Sequence, residues 1–170
     1  MNNLKGPTLS PSGLSSRNER PFSPQEPLGH TLESRWRSPM PTPEFMRQTA
    51  EHYLERVGSQ DLEAVLGLFA ESISVEDPVG GPPGTHVVGI EAVSRFFQKG
   101  FARSRPSPTL TGPIVTTGGN EVAFAFVLRL ELMGQPHELD VIDIIQFNES
   151  GQISSLRAFW NYDERREIPG

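Results

Sequence analysis

Two long segments in the C-terminal half of the chain alternate between apolar and other residues, and they meet at Gly134–Gln135. Side chains alternate across a β-strand, so this period predicts a hairpin with one apolar face against a core. A further strand is predicted at residues 152–162, after a turn at residues 148–151. The apolar positions of the first segment, residues 121–133, are Val122, Phe124, Phe126, Leu128, Leu130 and Leu132.

The first half of the domain shows helical spacing instead. Residues 44–57 place apolar side chains on one stripe and precede Gly58, so they predict an amphipathic helix with a C-cap at that glycine. Second and third helices are predicted at residues 61–70 and 89–101. A short strand, "ISVEDP", lies between them, and a strand broken at Gly112–Pro113 follows. This order predicts an α+β fold, with a curved antiparallel sheet covered by three N-terminal helices.

Residues 1–43 have a different composition from the rest of the chain. They hold eight of the 16 prolines and seven serines, without helical or strand periodicity. Low hydrophobicity with dense proline and serine predicts a disordered tail. The alternative is an upstream extension, with Met40 or Met46 as the real start. The folded domain is therefore expected at residues 44–165, and residues 166–170 are expected to form a short C-terminal tail.

Composition limits the possible partners. The net charge is −6, and residues 1–43 carry five basic and three acidic residues, so residues 44–170 carry −8. An acidic domain repels phosphate backbones, which argues against nucleic acid. There are no cysteines, no apolar run long enough to span a membrane, and no secretory h-region, so a cytoplasmic protein is expected. The four histidines show no ligand spacing, and no metal or other cofactor is predicted.

One residue breaks the pattern of the second alternating segment, "ELDVIDIIQF". Asp143 shares its predicted face with large apolar residues only. A carboxylate buried there would favour its protonated form. Acids of this kind occur at functional sites, but a misjudged register or a buried aspartate bonded to the backbone explains the pattern equally well. The apolar neighbours on this face are Leu139, Val141, Ile145 and Phe147.

Two further residues complete a possible site. Asp77 ends the short strand before Pro78, either as a catalytic acid or as a turn residue. Tyr53 lies on the apolar stripe of the first helix, where core packing alone accounts for it. Taken together, however, the three residues suggest one chemistry. An ionised carboxylate could abstract a proton beside a ketone, while a phenol and a neutral carboxylic acid, Asp143, donate hydrogen bonds to the enolate oxygen.

Several motifs in residues 44–162 resemble bacterial ketosteroid isomerases (steroid Δ-isomerases), within the SnoaL-like and nuclear-transport-factor-2-like superfamily. They are "HYLERVGSQDLEAV", "VEDPVGGPPGTHVVG", "LTGP", "GQPHELDVIDIIQF" and "RAFW". The resemblance implies a cone-shaped α+β fold and a homodimer formed through the outer face of the sheet. It also implies a cofactor-independent enzyme that moves a steroid C=C bond into conjugation with a ketone.

The same resemblance implies roles for individual residues. Asp77 matches the general base, and Tyr53 and Asp143 match the two donors to the oxyanion. In that family an apolar site keeps this aspartic acid neutral. The matching pocket residues are Phe126, Trp160, Phe97 and Phe69.

The chain departs from the family pattern on the third helix. Family enzymes place a tyrosine there that bonds to the oxyanion tyrosine, whereas this chain has Phe96–Phe97. Phe69 also replaces a tyrosine found in some members. We expect these losses to loosen the positioning of Tyr53 and to lower the rate without changing the reaction class.

Other functions are compatible with the same fold, which hosts many activities. One alternative is a different enzyme: an epoxide hydrolase, a dehydratase or a polyketide cyclase. An epoxide hydrolase with an Asp-Arg-Asp set would need an arginine in the cavity, but parity places Arg129 on the face opposite Phe126. A dehydratase would need cavity histidines. The other alternative is a non-catalytic module that binds a steroid or lipid.

Overall fold

The computed structural model describes residues 40–168, so the predicted tail at residues 1–43 lies almost wholly outside the described residues. Helix α1 spans Pro43–Ser59, where Thr42 caps the first turn by accepting a hydrogen bond from the Phe45 amide at 3.2 Å. Proline at the first helical position suits this start, because its missing N–H would have no partner there. The helix ends at Gln60 in the left-handed conformation, two residues beyond the expected cap at Gly58.

The second helix is shorter than expected. Helix α2 spans Leu62–Leu66 and is capped by Asp61, whose side chain accepts from the Ala64 amide at 3.0 Å. The predicted helix at residues 61–70 is wrong at its end, because strand β1 already begins at Phe69. A short apolar run fits either period, and here pairing with another strand decided the outcome.

Helix α3 spans Ile90–Ser104 and buries Val93, Phe97 and Phe101 on one stripe. The helices do not form one N-terminal block, because β1 and β2 lie between α2 and α3. No helix among the described residues is both long and apolar enough to cross a membrane.

The strands form one curved, open sheet in the order β2-β1-β7-β6-β5-β3, with β4 added beside β5 and β8 beside β6. Its strand pairings are antiparallel except for that of β1 with β7, which is parallel. The prediction of an antiparallel sheet was therefore wrong for this one pair. The bounds are β1 Phe69–Glu76, β2 His86–Val88, β3 Ser107–Leu110, β4 Val115–Thr116, β5 Glu121–Leu132, β6 Gln135–Phe147, β7 Ile153–Phe159 and β8 Arg166–Glu167.

The central hairpin is the one predicted from the alternating segments. Its turn residues are Met133 and Gly134, both with positive φ, one position earlier than expected. Two residues of positive φ match the twist of the flanking strands. Burial alternates along β6, so Asp143 does face the core, opposite Phe124 on β5 and Ala158 on β7.

The C-terminal segment extends the domain beyond residue 165. After β7 the chain forms a short 3₁₀ helix at Tyr162–Glu164. Strand β8 then pairs with His137 and Glu138 of β6, and the Ile168 amide donates to the Pro136 carbonyl at 3.0 Å. Arg166, in the segment expected to be a tail, also donates two hydrogen bonds to Asp140, at 2.7 and 2.9 Å.

Candidate active site

A cavity of about 310 Å³ opens between α1, α3 and the inner face of the sheet. This volume falls in the range of small-molecule sites. Its walls are mainly aromatic and aliphatic, and its polar groups are few. The apolar walls include Leu54, Val57, Phe96, Phe97, Phe101, Phe126, Leu128, Leu130, Leu139 and Val141, and the polar side chains in the lining are Tyr53, Asp77, Arg103, Ser104, Asp143, Trp160 and Tyr162.

Asp143 lies in the middle of β6 and is only 2% exposed. Its Oδ1 atom is buried, and no described residue bonds to it. Burial raises the pKa of this carboxyl well above its usual range, and the negative charge of Asp77 adds to the rise. A buried carboxyl without a partner is costly in free energy, and its neutral form can donate a hydrogen bond into the cavity.

Asp77 follows the last residue of β1 and reaches the same cavity. Its amide donates to the Thr85 carbonyl at 2.8 Å, and the indole N–H of Trp160 donates to its Oδ1 atom at 2.5 Å. Burial raises the pKa of Asp77, while the bond from Trp160 acts in the opposite direction by stabilising the carboxylate. Of the two acids, Asp77 is therefore the one with a donor that favours ionisation.

Tyr53 comes from the middle of α1, on the stripe that faces the sheet. Its ring packs against Phe69 at a centroid distance of 6.2 Å, and Phe69 packs against Phe97 at 5.7 Å. Burial raises the pKa of the Tyr53 phenol well above its usual value, with both acids adding to the rise. The phenol therefore remains a hydrogen-bond donor at neutral pH.

The structure brings most of the predicted site residues together. Of the four predicted pocket residues, Phe126, Trp160 and Phe97 line the cavity, whereas Phe69 lies behind the lining and supports the ring of Tyr53. Phe96 also lines the cavity, so both phenylalanines at the expected tyrosine position face the site from α3.

Sequence reasoning did not find three of the polar residues in the cavity lining. Arg103, Ser104 and Tyr162 belong to the lining. Arg103 lies in the last turn of α3, where a cation is common because it offsets the helix dipole, so the sequence carried no separate signal. Tyr162 follows β7, and its position depends on how the C-terminal segment folds back along β6.

Other ionisable residues lie away from the cavity. Arg129 bonds to Glu138 at 2.7 Å on the outer face of the sheet, as its parity predicted. None of the described lining residues is a histidine, and the described part of the chain holds no group of three or more His, Asp or Glu residues that could bind a metal ion.

Comparison with known proteins identifies a family and relatives that are similar in sequence. The model of the SnoaL-like domain matches residues 50–156. A steroid Delta-isomerase from Nocardioides simplex is 30% identical over 115 residues, which cover 68% of this chain and 89% of that enzyme. The epoxide hydrolase LasB from Streptomyces lasalocidi is 28% identical over 133 residues, covering 71% of this chain but only 43% of the hydrolase.

A solved structure gives a further comparison. RV0760c from Mycobacterium tuberculosis, in complex with estradiol-17beta-hemisuccinate, superposes with a TM-score of 0.65 and 26% identity, covering 72% of this chain and 98% of that one. The shared fold and the family match, which extends over more than half of the sequence, lead to one conclusion: the chain belongs to the family of SnoaL-like domains.

Proposed function

We propose that this protein is a cofactor-independent steroid isomerase that converts a Δ5-3-ketosteroid into the conjugated Δ4 enone. The observation that carries the proposal is the buried, unpartnered Oδ1 of Asp143 in a cavity that also contains Tyr53 and Asp77. Similarity to the Nocardioides simplex isomerase supports the same assignment. The apolar walls suit a fused-ring body, since such ligands bind mainly by burial of apolar surface.

In this proposal Asp77 is the general base. Its carboxylate takes a proton from C4 of the steroid, and the C–H electron pair forms a dienolate whose negative charge lies on the ketone oxygen. The protonated Asp77 then returns the proton to C6, so the double bond moves from C5–C6 to C4–C5 and the carboxylate is regenerated. A raised pKa brings this group closer to the operating pH, which favours reversible proton transfer.

Tyr53 and Asp143 are the proposed donors to the dienolate oxygen. Both remain protonated because burial raises their pKa values, and both are in a cavity where few other polar groups compete. A hydrogen bond to a developing negative charge is strongest where water is excluded. One such donor contributes about 10²–10³ in rate.

A second candidate is the opening of an epoxide. The similarity to LasB favours it, and so does the pairing of a proton donor, Asp143, with a proton acceptor, Asp77, in one cavity. In that reaction the acid would protonate the epoxide oxygen while the base activates the attacking hydroxyl group or water.

Turnover of 5-androstene-3,17-dione tests the first candidate. Formation of the conjugated enone would be followed by its ultraviolet absorbance, with Asp77→Asn as the matched variant. We expect rapid formation by the wild type and a loss of about 10²–10⁴ in the variant, with steroid binding retained. Binding without turnover would indicate a non-catalytic binding module instead of an isomerase. The absence of both binding and turnover would favour epoxide opening or another SnoaL-like reaction.

A further inference from the structure

The cavity has two chemically different ends. Asp143 lies opposite Phe124 on β5, and the cavity continues along the hairpin past Leu130 to Leu132. At the rise of an extended strand, the six residues from Phe124 to Leu130 span about 20 Å. Near that far end, Ser107 pairs with Arg129, and Arg105 lies 3.7 Å from Glu131.

These contacts place the C-terminal end of α3 beside the far end of the cavity. Arg103 and Ser104 both belong to the lining, whereas Asp143 lies further along the hairpin and acts electrostatically on Tyr53, as Asp77 does. The Ser104 hydroxyl donates to the Gly100 carbonyl at 2.9 Å, which leaves its oxygen lone pairs free to accept.

Arg103 has no carboxylate partner within 4.0 Å among the described residues, whereas the neighbouring cations Arg95 and Arg105 each have one. Three other cations of residues 40–168 also have no such partner, but they do not belong to the cavity lining: Arg56, Lys99 and Arg165. Arg103 is an exposed residue, so it lies where the cavity lining meets solvent, and it is the member of this unpaired set that belongs to the lining. The helix dipole accounts for a cation in the last turn of α3 but not for its place in the cavity wall.

We propose that the natural substrate carries an anionic group, such as a carboxylate, at the end of its apolar body opposite the ketone, and that Arg103 binds this group. The inference rests on the proposed function, because that function assigns the ketone end to Tyr53 and Asp143. A guanidinium presents paired N–H donors that match the two oxygens of a carboxylate.

Binding of a matched pair of product-like steroids tests this proposal. The pair is 3-oxo-4-androstene-17β-carboxylic acid and its methyl ester, which share the enone and differ in the charge at the far end. Dissociation constants would be measured by calorimetry for the wild type, for Arg103→Gln and for Arg103→Lys. Arg95→Gln is the control, since Arg95 is an exposed cation of the same helix outside the lining.

We expect the wild type and Arg95→Gln to bind the acid about fivefold more tightly than the ester, the size of one favourable ion pair at a solvated site. Arg103→Gln should lose this preference, Arg103→Lys should keep part of it, and added salt should weaken it in the wild type. Equal binding of acid and ester by the wild type would overturn the proposal and leave the isomerase intact. If neither steroid bound, the proposed function would fail first, and this inference with it.

Discussion

The indole N–H of Trp160 donates a hydrogen bond to Oδ1 of Asp77, although 83 positions separate the two residues in the sequence. The parallel pairing of β1 with β7 brings them together, because parallel strands end at the same edge of a sheet. Glu76 pairs with Arg157, and the Val79 amide donates to the Ala158 carbonyl at 2.8 Å. The segments that follow β1 and β7 therefore leave the sheet side by side. Asp77 and Trp160 are therefore held at one point beside the cavity.

Replacement of Trp160 by phenylalanine should raise the pKa of Asp77. The change keeps an aromatic ring in the cavity wall but removes the N–H that stabilises the carboxylate. We expect the acidic limb of the pH profile of kcat/KM to move to higher pH, with lower activity on that limb. A profile that does not move in Trp160→Phe would show that this hydrogen bond does not control ionisation of the base.

Removal of the Tyr53 hydroxyl should affect the rate far more than the fold. In Tyr53→Phe the ring can still pack against Phe69, while one proposed donor to the dienolate oxygen is lost. We expect kcat to fall by about 10²–10³. Thermal denaturation of the same variant serves as the control, and a melting temperature far below that of the wild type would assign Tyr53 a structural role instead.

Asp143 should make the protein less stable as the pH rises. Its folded-state pKa is raised, so above the ordinary aspartate pKa of about 3.9 the native protein holds a proton that the unfolded chain releases. The free energy of unfolding therefore falls with increasing pH, by at most about 1.4 kcal/mol per pH unit for one group, until the folded-state pKa is passed. Asp77 acts in the same direction through its own raised pKa.

Asp143→Asn removes this contribution. Urea denaturation from about pH 5 to about pH 8 should show a smaller decline in the free energy of unfolding for the variant than for the wild type. Parallel curves for the two proteins would mean that Asp143 is already ionised in the native state, which would contradict its role as a donor.

The outer face of the sheet is the surface at which we predict a homodimer. Ile142 on β6 is 49% exposed there and lies beside Phe159 on β7, which is 38% exposed. Ile142→Lys should shift the protein towards the monomer in sedimentation velocity, because a charge buried in an apolar interface is costly. Met133→Lys is the control, since Met133 is exposed at the hairpin turn. A monomeric wild type would contradict the prediction.

Short-range patterns were sufficient for the elements that carry two of the site residues. The period of two in β6 predicted that Asp143 faces the core, and helical spacing predicted that Tyr53 does so on α1. Both inferences depend only on backbone geometry, which repeats along a regular element. The predicted end of α2 was wrong, because the same apolar residues fit a helix or a strand until a partner strand is known.

The sequence alone determined which side chains share a face, since the direction of a side chain is a local property of a helix or strand. Only the tertiary structure decided which faces meet: that Trp160 reaches Asp77, and that Arg103 and Asp143 line one cavity. The physical reason is that these contacts depend on the parallel pairing of β1 with β7 and on the fold of the C-terminal segment along β6. Such long-range pairings come from the packing of the whole core, and no short stretch of residues encodes them.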